Sequence, residues 1–170
     1  MTETLEAQVA ALTAKVRRLE EERAILQTLH RYGHSIDYGH EADWLDCFTE
    51  DGAFDLHIRQ DGETAGRLRG FGEPHAKGVR FAGRAVLNQF IRQHTRAPDA
   101  WHKHFMVEPV IEIAQDGEHA KVRSYFVRLD DQAGERIMSA FGRYIDDMVR
   151  APDGRWRFRE RIAEIESMWN

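Results

Sequence analysis

Cysteine and proline are scarce in this chain of 170 residues, which contains one Cys and four Pro. The single thiol, Cys47, excludes an intramolecular disulfide framework and a cysteine-based structural zinc site. Long apolar runs are also lacking, so the sequence predicts no transmembrane helix. The first residues are acidic and do not have the basic start and apolar stretch of a signal peptide. We therefore expect a cytoplasmic protein that buries its core without covalent cross-links.

An excess of positive charge is lacking as well, since 24 Lys and Arg against 29 Asp and Glu give a formal net charge of −5. Nucleic-acid binding requires a basic face, so we expect no nucleic-acid partner, and we expect no membrane partner either. What is plentiful is histidine, with 9 residues. Because imidazole titrates near neutral pH, the histidines are the first candidates for chemistry.

The N-terminal part of the chain is predicted to be helical. Apolar residues spaced alternately four and three apart mark a coiled-coil seam, formed by Leu5, Val9, Leu12, Val16 and Leu19. The seam stops at Arg23, and a second apolar stripe leads to Ile36 before Gly39 ends the helix. We interpret residues 1–20 as a helical arm and residues 21–170 as the domain proper. Since so short a seam is unstable alone, we expect it to pack on this chain or on a partner copy, in a homodimer or homotrimer.

Helical patterns precede strand patterns along the rest of the chain. A short helix over 42–48, a strand over 53–58 and a helix over 84–94 come first, and a glycine-rich stretch over 62–83 predicts a hairpin or long loop. Four strand-like segments follow, at 101–113, 120–129, 136–149 and 155–165. This order is the α+β pattern, and it suggests a curved antiparallel sheet wrapped around the helices, with a pocket between the layers.

One carboxylate falls on the apolar side of the first helix of the domain. At 100° per residue, Asp37 lies at the edge of the stripe that contains Leu26, Leu29 and Ile36. Gly33, one turn earlier, leaves space beside it. A carboxylate in this position is costly unless it is paired, so Asp37 either caps neighbouring backbone or faces a cavity in which burial tunes it for acid–base chemistry.

Two histidines share one face of the strand predicted around residues 101–113. His102, His104, Met106 and Glu108 alternate with apolar residues on the other face. Histidines at i and i+2 can reach one metal ion, with Glu108 as a further ligand, although such a pair also arises by chance in a histidine-rich chain. The pattern therefore leaves a metal site as an alternative to a site without metal.

The last strand segment carries a row of basic residues. Arg155, Arg157, Arg159 and Arg161 alternate with apolar residues, which predicts the outer, polar face of a strand and, as an alternative, a clamp for a ligand. Glu160 breaks the alternation by falling on the apolar side, where we expect a basic group to pair with it.

Several motifs together resemble the SnoaL-like domains of the nuclear transport factor 2-like superfamily. The motifs are Tyr32-x4-Asp37, the segment from Trp44 to Ala53, His104 five residues before Pro109, and the segments 120–126, 142–146 and 153–158. The resemblance covers roughly residues 21–165. It implies a cone-shaped, curved antiparallel sheet that wraps around helices and encloses a deep apolar pocket.

Members of this family include scytalone dehydratase and bile-acid dehydratase, in which a Tyr, an Asp and a His transfer protons without metal or cofactor. By resemblance these catalytic roles fall on Tyr32, Asp37 and His104. Asp37 would orient His104 as base and then acid, while Tyr32 or Ser124 would donate a hydrogen bond to the developing oxyanion. The residues predicted to bind the substrate are Trp44, Phe48, Phe54, Met106, Ser124 and Phe126.

Two positions depart from the dehydratase pattern. Arg128 stands where bile-acid dehydratase has a further pocket Asp, and Ile165 falls near the position of its late Arg. The predicted function is a cofactor-independent, dehydratase-type lyase that acts on a small hydrophobic, hydroxylated substrate of aromatic or polycyclic type. The alternatives are an isomerase, cyclase or carbon–carbon lyase that uses the same Asp–His pair, and a non-catalytic ligand-binding module resembling an oxygenase small subunit.

Overall fold

The computed structural model describes residues 4–58, 71–132 and 134–168. The helices in these ranges are α1 (Leu5–Tyr38), α2 (Glu41–Asp46) and α3 (Arg84–Gln93). The strands are β1 (Phe48–Ile58), β2 (Glu73–His75), β3 (Gly78–Ala82), β4 (His102–Ile113), β5 (His119–Gln132), β6 (Glu135–Arg150) and β7 (Trp156–Met168). Of the stretch predicted as a hairpin or loop, residues 62–70 lie outside the described residues, and β2 and β3 form a hairpin in the remainder.

The helix α1 runs without a break through both predicted N-terminal segments. It begins after Thr4, whose hydroxyl accepts a hydrogen bond from the N–H of Ala7 at 3.3 Å. It ends at Gly39, whose φ of 69° is a left-handed conformation that glycine adopts without strain. The residues of α1 up to Glu20 are exposed, and full burial begins at Ile25. The division into an arm and a domain at residue 20 stays a prediction.

The strands form one curved sheet in the order β2-β3-β1-β7-β6-β5-β4. β1 and β7 pair in parallel, and the other neighbouring strands pair antiparallel. Register shifts interrupt the β4–β5, β5–β6 and β6–β7 ladders, and such bulges bend a sheet. The predicted α+β class, with a curved sheet around helices, is confirmed. The parallel pair is an addition that the strand pattern did not indicate.

Aromatic side chains fill the concave side of the sheet beneath α1. The ring of Tyr32 is central, with centroid distances of 5.7 Å to Trp44 and 5.8 Å to Phe158. Phe48 and Phe54 surround the same ring at 6.2 and 6.4 Å. Large rings in tilted and edge-to-face arrangements bury much apolar surface, so this cluster fixes α1 and α2 on β1 and β7.

The prediction that Arg161 belongs to an outer row of arginines is wrong. Asp147 pairs with Glu160 and Met148 pairs with Phe158, which leaves Arg159 as an extra residue between them. A bulge of this kind reverses the alternation of a strand, so Arg161 turns into the core and is fully buried. The prediction that Glu160 falls on the apolar side is also wrong, because the same bulge turns it outward. Its carboxylate pairs on that outer face with the guanidinium of Arg80, at 3.0 Å.

Within the part of the chain that the structure describes, no helix is both long enough and apolar enough to cross a membrane.

Candidate acid–base site

The packing of α1 on β4 brings Asp37 and His104 together. His104 Nδ1 lies 2.7 Å from Asp37 Oδ1, and the backbone N–H of His104 lies 3.2 Å from both carboxylate oxygens. Because an ionised carboxylate can only accept, Nδ1 carries the imidazole proton and Nε2 keeps its lone pair. Only 6% of the Asp37 side chain and 8% of the His104 side chain are exposed. The buried carboxylate therefore holds the imidazole of His104 in one tautomer.

Gly33 permits the close approach of the two elements. A Cβ atom at this position would lie 3.2 Å from Met106 Cε and 3.4 Å from the carbonyl oxygen of His104. A methyl group would already be tight, and a larger side chain would push α1 away from β4. The glycine therefore sets the distance across which Asp37 reaches His104.

Two further histidines adjoin the pair. His102 has a fully buried side chain, and its Nε2 lies 3.7 Å from Asp37 Oδ1. Its ring centroid is 5.3 Å from that of His104 and 5.2 Å from that of His94, the residue that follows α3. His94 was not among the predicted site residues. No sequence motif surrounds it, because its contact with the other histidines arises only from tertiary packing.

Burial lowers the pKa of all three histidines, because desolvation penalises the imidazolium form. The pKa of His102 is lowered to about 4 and that of His94 to about 3, each with a further decrease from the neighbouring His104. The pKa of His104 is also lowered by burial, although the hydrogen bond to Asp37 opposes the change. Near neutral pH the imidazole of His104 is therefore uncharged and able to accept a proton.

Arg128 and Asp130 lie opposite the histidines, on β5. Arg128 is in register with His104, and Asp130 is in register with His102. The guanidinium of Arg128 binds Asp130 with Nε and Nη2, at 2.9 and 2.8 Å, and Ser139 donates a further hydrogen bond to the same carboxylate. Arg128 occupies the position that departs from the dehydratase pattern. Its guanidinium pairs with Asp130, beside the histidines, and not with Asp37.

A cleft of about 210 Å³ opens beside the Asp37–His104 pair, at the junction of α1 and β4. Its lining includes Gly33, Lys103 and Met106 in addition to the pair itself. Of the residues predicted to bind substrate, Met106 is thus the one that lines this cleft. A small molecule in the cleft could reach the imidazole of His104.

The other predicted site residues lie in the core. Trp44 and Phe48 are fully buried, while Phe54, Ser124 and Phe126 are each 4% exposed. Their proposed contact with a substrate stays a prediction. Tyr32 is buried against the aromatic cluster, and this burial raises the pKa of its phenol well above the usual range. Its catalytic role also stays a prediction.

A buried ion pair lies under Tyr32 and had no counterpart in the predictions. Arg161 Nε lies 2.9 Å from Asp146 Oδ1, and neither side chain is exposed. The guanidinium carbon lies 4.1 Å from the ring centroid of Tyr32 and 3.9 Å from that of Tyr144. Burial raises the pKa of Asp146 to about 6, although Arg161 opposes the change. Arg161 Nη2 also lies 3.2 Å from Met106 Sδ, which connects the pair to the strand that carries His104.

Two of the three ligands in the predicted metal-site alternative, His102 and His104, lie close together beside Asp37. Donor atoms of Asp37, His102 and His104 lie within 4.8 Å of one another. Glu108, the further ligand in that alternative, is exposed and has a φ of 52°. It falls in the register shift between Val107 and Val110, so the strand alternation that would place it beside the histidines does not hold.

Comparisons with known proteins agree with this architecture. Residues 17–162 match a family model described as a SnoaL-like domain. A nuclear transport factor 2-like protein with a cystatin-like fold from Novosphingobium aromaticivorans is 20% identical, with a TM-score of 0.72 over 98% of this chain and 93% of that one. A protein from the same organism, named as the beta subunit of an aromatic-ring-hydroxylating dioxygenase, is 16% identical, with a TM-score of 0.69 over 91% and 94% of the two chains.

ActVI-ORFA from Streptomyces coelicolor is 18% identical, with a TM-score of 0.65 over 85% of this chain and 96% of that one. No match was found among curated proteins. At these identities the solved structures establish the fold, and the family model covers most of the sequence. The chain therefore belongs to the SnoaL-like domain family and has the nuclear transport factor 2-like fold.

Proposed function

We propose that this protein is a cofactor-independent lyase of the dehydratase type, in which Asp37 and His104 carry out acid–base catalysis on a small hydrophobic, hydroxylated substrate. The observation that carries the proposal is the 2.7 Å hydrogen bond between His104 Nδ1 and Asp37 Oδ1 at the edge of a cleft. A purely structural pocket has no need to bury a carboxylate and an imidazole together, since each is costly to desolvate.

The proposed reaction depends on the tautomer of His104 in which Nε2 has the lone pair. His104 Nε2 accepts the proton from a carbon next to a carbonyl group or aromatic ring, and Asp37 stabilises the imidazolium that forms. The electron pair of the broken C–H bond forms a carbon–carbon double bond as the C–O bond of the hydroxyl group breaks. His104 then returns its proton to the departing hydroxyl, which leaves as water. In this proposal Tyr32 or Ser124 donates the hydrogen bond to the developing oxyanion.

Electrostatics support the role of His104 as a base. Its pKa is lowered by burial, so the reactive neutral form predominates near pH 7. The Asp37 carboxylate then stabilises the charge that appears only after proton transfer, and this kind of interaction lowers the barrier of the chemical step.

The direct test is a screen of hydroxy-ketones and hydroxy-aromatic compounds, with mass spectrometry to detect the loss of one water molecule. Turnover should fall by about 10²–10⁴-fold in Asp37→Asn and be abolished in His104→Ala, with the fold retained in circular dichroism. The matched controls are Asp43→Asn and His119→Ala, because both residues are exposed and lie away from the cleft. Full activity in both site variants would show that the site assignment is wrong.

The same screen distinguishes the alternative functions. An isomerase would give a product of unchanged mass, and a carbon–carbon lyase would give two fragments. A non-catalytic module would give no product with any compound, and the protein isolated from its native source would then be found with a larger partner.

A further inference from the structure

A second group of metal-ligating side chains lies on the other face of the sheet. Phe54 and Leu56 of β1 point into the core, so Asp55 and His57, which alternate with them, point to the convex side. His75 of β2 joins them there. Donor atoms of Asp55, His57 and His75 lie within 4.8 Å of one another. This group shares no residue with the site of Asp37 and His104.

The sheet register explains how two non-adjacent strands bring their imidazoles together. Gly78 of β3 is in register with both His57 and His75, and it has no side chain to separate them. The two ring centroids are therefore 5.3 Å apart, with the planes at 70°. A Cβ atom at Gly78 would lie 1.7 Å from the carbonyl oxygen of Leu56, so no other residue fits this position.

The distances are close to those of a tetrahedral metal site. His57 Nε2 lies 3.3 Å from Asp55 Oδ2, and His75 Nε2 lies 2.8 Å from Asp55 Oδ1. Two ligand atoms bound to one zinc ion at about 2.1 Å are roughly 3.4 Å apart, so small side-chain rotations would admit an ion. Two imidazoles and one carboxylate are a donor set used by divalent transition metals.

The charge of Asp55 favours a cation at this position. Only 10% of its side chain is exposed. Arg80 is in register with Asp55, yet its guanidinium pairs with Glu160 at 3.0 Å. Among the described residues, the partners of the Asp55 carboxylate are therefore imidazoles and not a permanent cation. A metal ion stabilises a buried anion of this kind.

A neighbouring cleft provides access. It has a volume of about 420 Å³, and its lining includes His57, Lys77, Arg143 and Glu164. Arg143 and Glu164 pair with each other, so they leave the cleft without a strong excess of either charge. Water or a small ligand in this cleft could occupy a coordination position that the three protein ligands leave open.

We propose that Asp55, His57 and His75 bind a divalent transition-metal ion on the convex side of the sheet. His75 Nε2 donates its proton to Asp55, while Nδ1 accepts a 3.2 Å hydrogen bond from the N–H of Lys77. A neutral imidazole that binds a metal through Nε2 carries its proton on Nδ1. Metal binding therefore moves the proton of His75 from Nε2 to Nδ1 and breaks the hydrogen bond from Lys77, and this change can be observed.

The experiment is a titration of the full, chelator-treated and tag-free chain with Zn²⁺ by calorimetry, and with Co²⁺ by visible absorption. We expect one ion per chain, the absorption bands of tetrahedral Co²⁺, and a shift of the Lys77 amide signal in an NMR spectrum. His57→Ala and His75→Ala should each lower the association constant by at least about tenfold, as expected when a ligand is removed. His57→Gln serves as a second variant if His57→Ala fails to fold.

His104→Ala is the matched control, because Asp37, His102 and His104 are another possible donor set. The proposal requires that His104→Ala bind Zn²⁺ like the wild type. It is overturned if the wild type binds no ion at stoichiometric ratio, or if binding survives in His57→Ala and His75→Ala and is lost in His104→Ala. None of these outcomes depends on a substrate, so they do not bear on the lyase proposal.

Discussion

The carboxylate of Asp37 accepts hydrogen bonds from both the ring and the backbone of His104, at 2.7 Å from Nδ1 and 3.2 Å from the peptide nitrogen. The backbone bonds fix the carboxylate on β4, and the ring bond then fixes the imidazole. One residue of α1 thus determines the position and the tautomer of the proposed base, which leads to the first prediction.

Asp37→Asn should remove this control of the tautomer. The amide of Asn can present its NH2 group to Nδ1, which favours the tautomer with the proton on Nε2 and eliminates the lone pair needed for proton abstraction. We expect turnover to fall by about 10²–10⁴-fold, the range for loss of an orienting carboxylate or of general-base catalysis. The ¹⁵N shifts of the His104 ring measure the tautomer without a substrate. Unchanged ring shifts in the variant would contradict the prediction.

Stability should decrease on mild acidification. Unfolded histidines have a pKa of about 6.5, whereas burial lowers that of His102 to about 4, that of His94 to about 3 and that of His104 as well. The unfolded chain therefore binds more protons below pH 6.5, so the stabilisation from the neutral histidines is complete above that pH. It is lost as the pH falls toward the folded values, by up to about 1.4 kcal/mol per pH unit for each histidine.

Asp146 changes the stability with pH in the opposite direction. Its pKa is raised to about 6, so just below that pH the folded state holds a proton that the unfolded state has lost. Its contribution is present at low pH and disappears as the pH rises through about 6. Urea unfolding at several pH values between about 4.5 and 7.5 gives the net slope. His94→Gln should make the slope smaller, and His119→Gln, at an exposed position, should not. A flat profile for the wild type would refute the assignment of the buried histidines.

Removal of one partner of the buried ion pair should be strongly destabilising. Arg161→Met leaves Asp146 unpaired in the core, and the expected loss is about 3–5 kcal/mol of unfolding free energy. Arg159→Met, which breaks an exposed pair with Asp147, should cost no more than about 1 kcal/mol. Chemical denaturation measures both. The double variant Asp146→Leu/Arg161→Met should be more stable than Arg161→Met alone, because no unpaired charge remains.

The exposed seam of α1 should mediate self-association. Its apolar residues are between 52% and 75% exposed, namely Leu5, Val9, Leu12, Val16 and Leu19. A helix with an uncovered stripe of this kind is stabilised by packing on a partner. We expect a homodimer or homotrimer in light scattering, and dissociation in the double variant Leu12→Glu/Val16→Glu. A wild type that is monomeric at tens of micromolar would contradict this prediction.

Local patterns predicted the secondary structure well wherever one rule was sufficient. The helix predicted over 84–94 is Arg84–Gln93, and the strand predicted over 101–113 is His102–Ile113. The alternation of the last strand predicted the wrong face for Arg161, because it does not indicate the bulge at Arg159. The parallel pairing of β1 with β7 was also beyond its reach, since pairing partners far apart in sequence are chosen by the fold as a whole.

The candidate site was predictable to a similar extent. Helix geometry placed Asp37 at the edge of the apolar stripe, and the family resemblance selected His104 as its partner. His94 could not be found, because nothing near it in sequence indicates that the end of α3 reaches the other histidines. The convex cluster depends on Gly78, which brings His75 next to His57 only after the hairpin has formed.

The parallel contact between β1 and β7 has a consequence for the order of folding. β1 lies between β3 and β7, although the residues that pair across the β1–β7 seam are on the order of a hundred positions apart in the chain. During synthesis, the three strands β1, β2 and β3 are therefore complete before β7, the neighbour of β1, has been made. These strands can join the rest of the sheet only when β7 has left the ribosome. Until then β1 presents an open edge, and an unpaired edge of this kind favours aggregation and chaperone binding in a nascent chain.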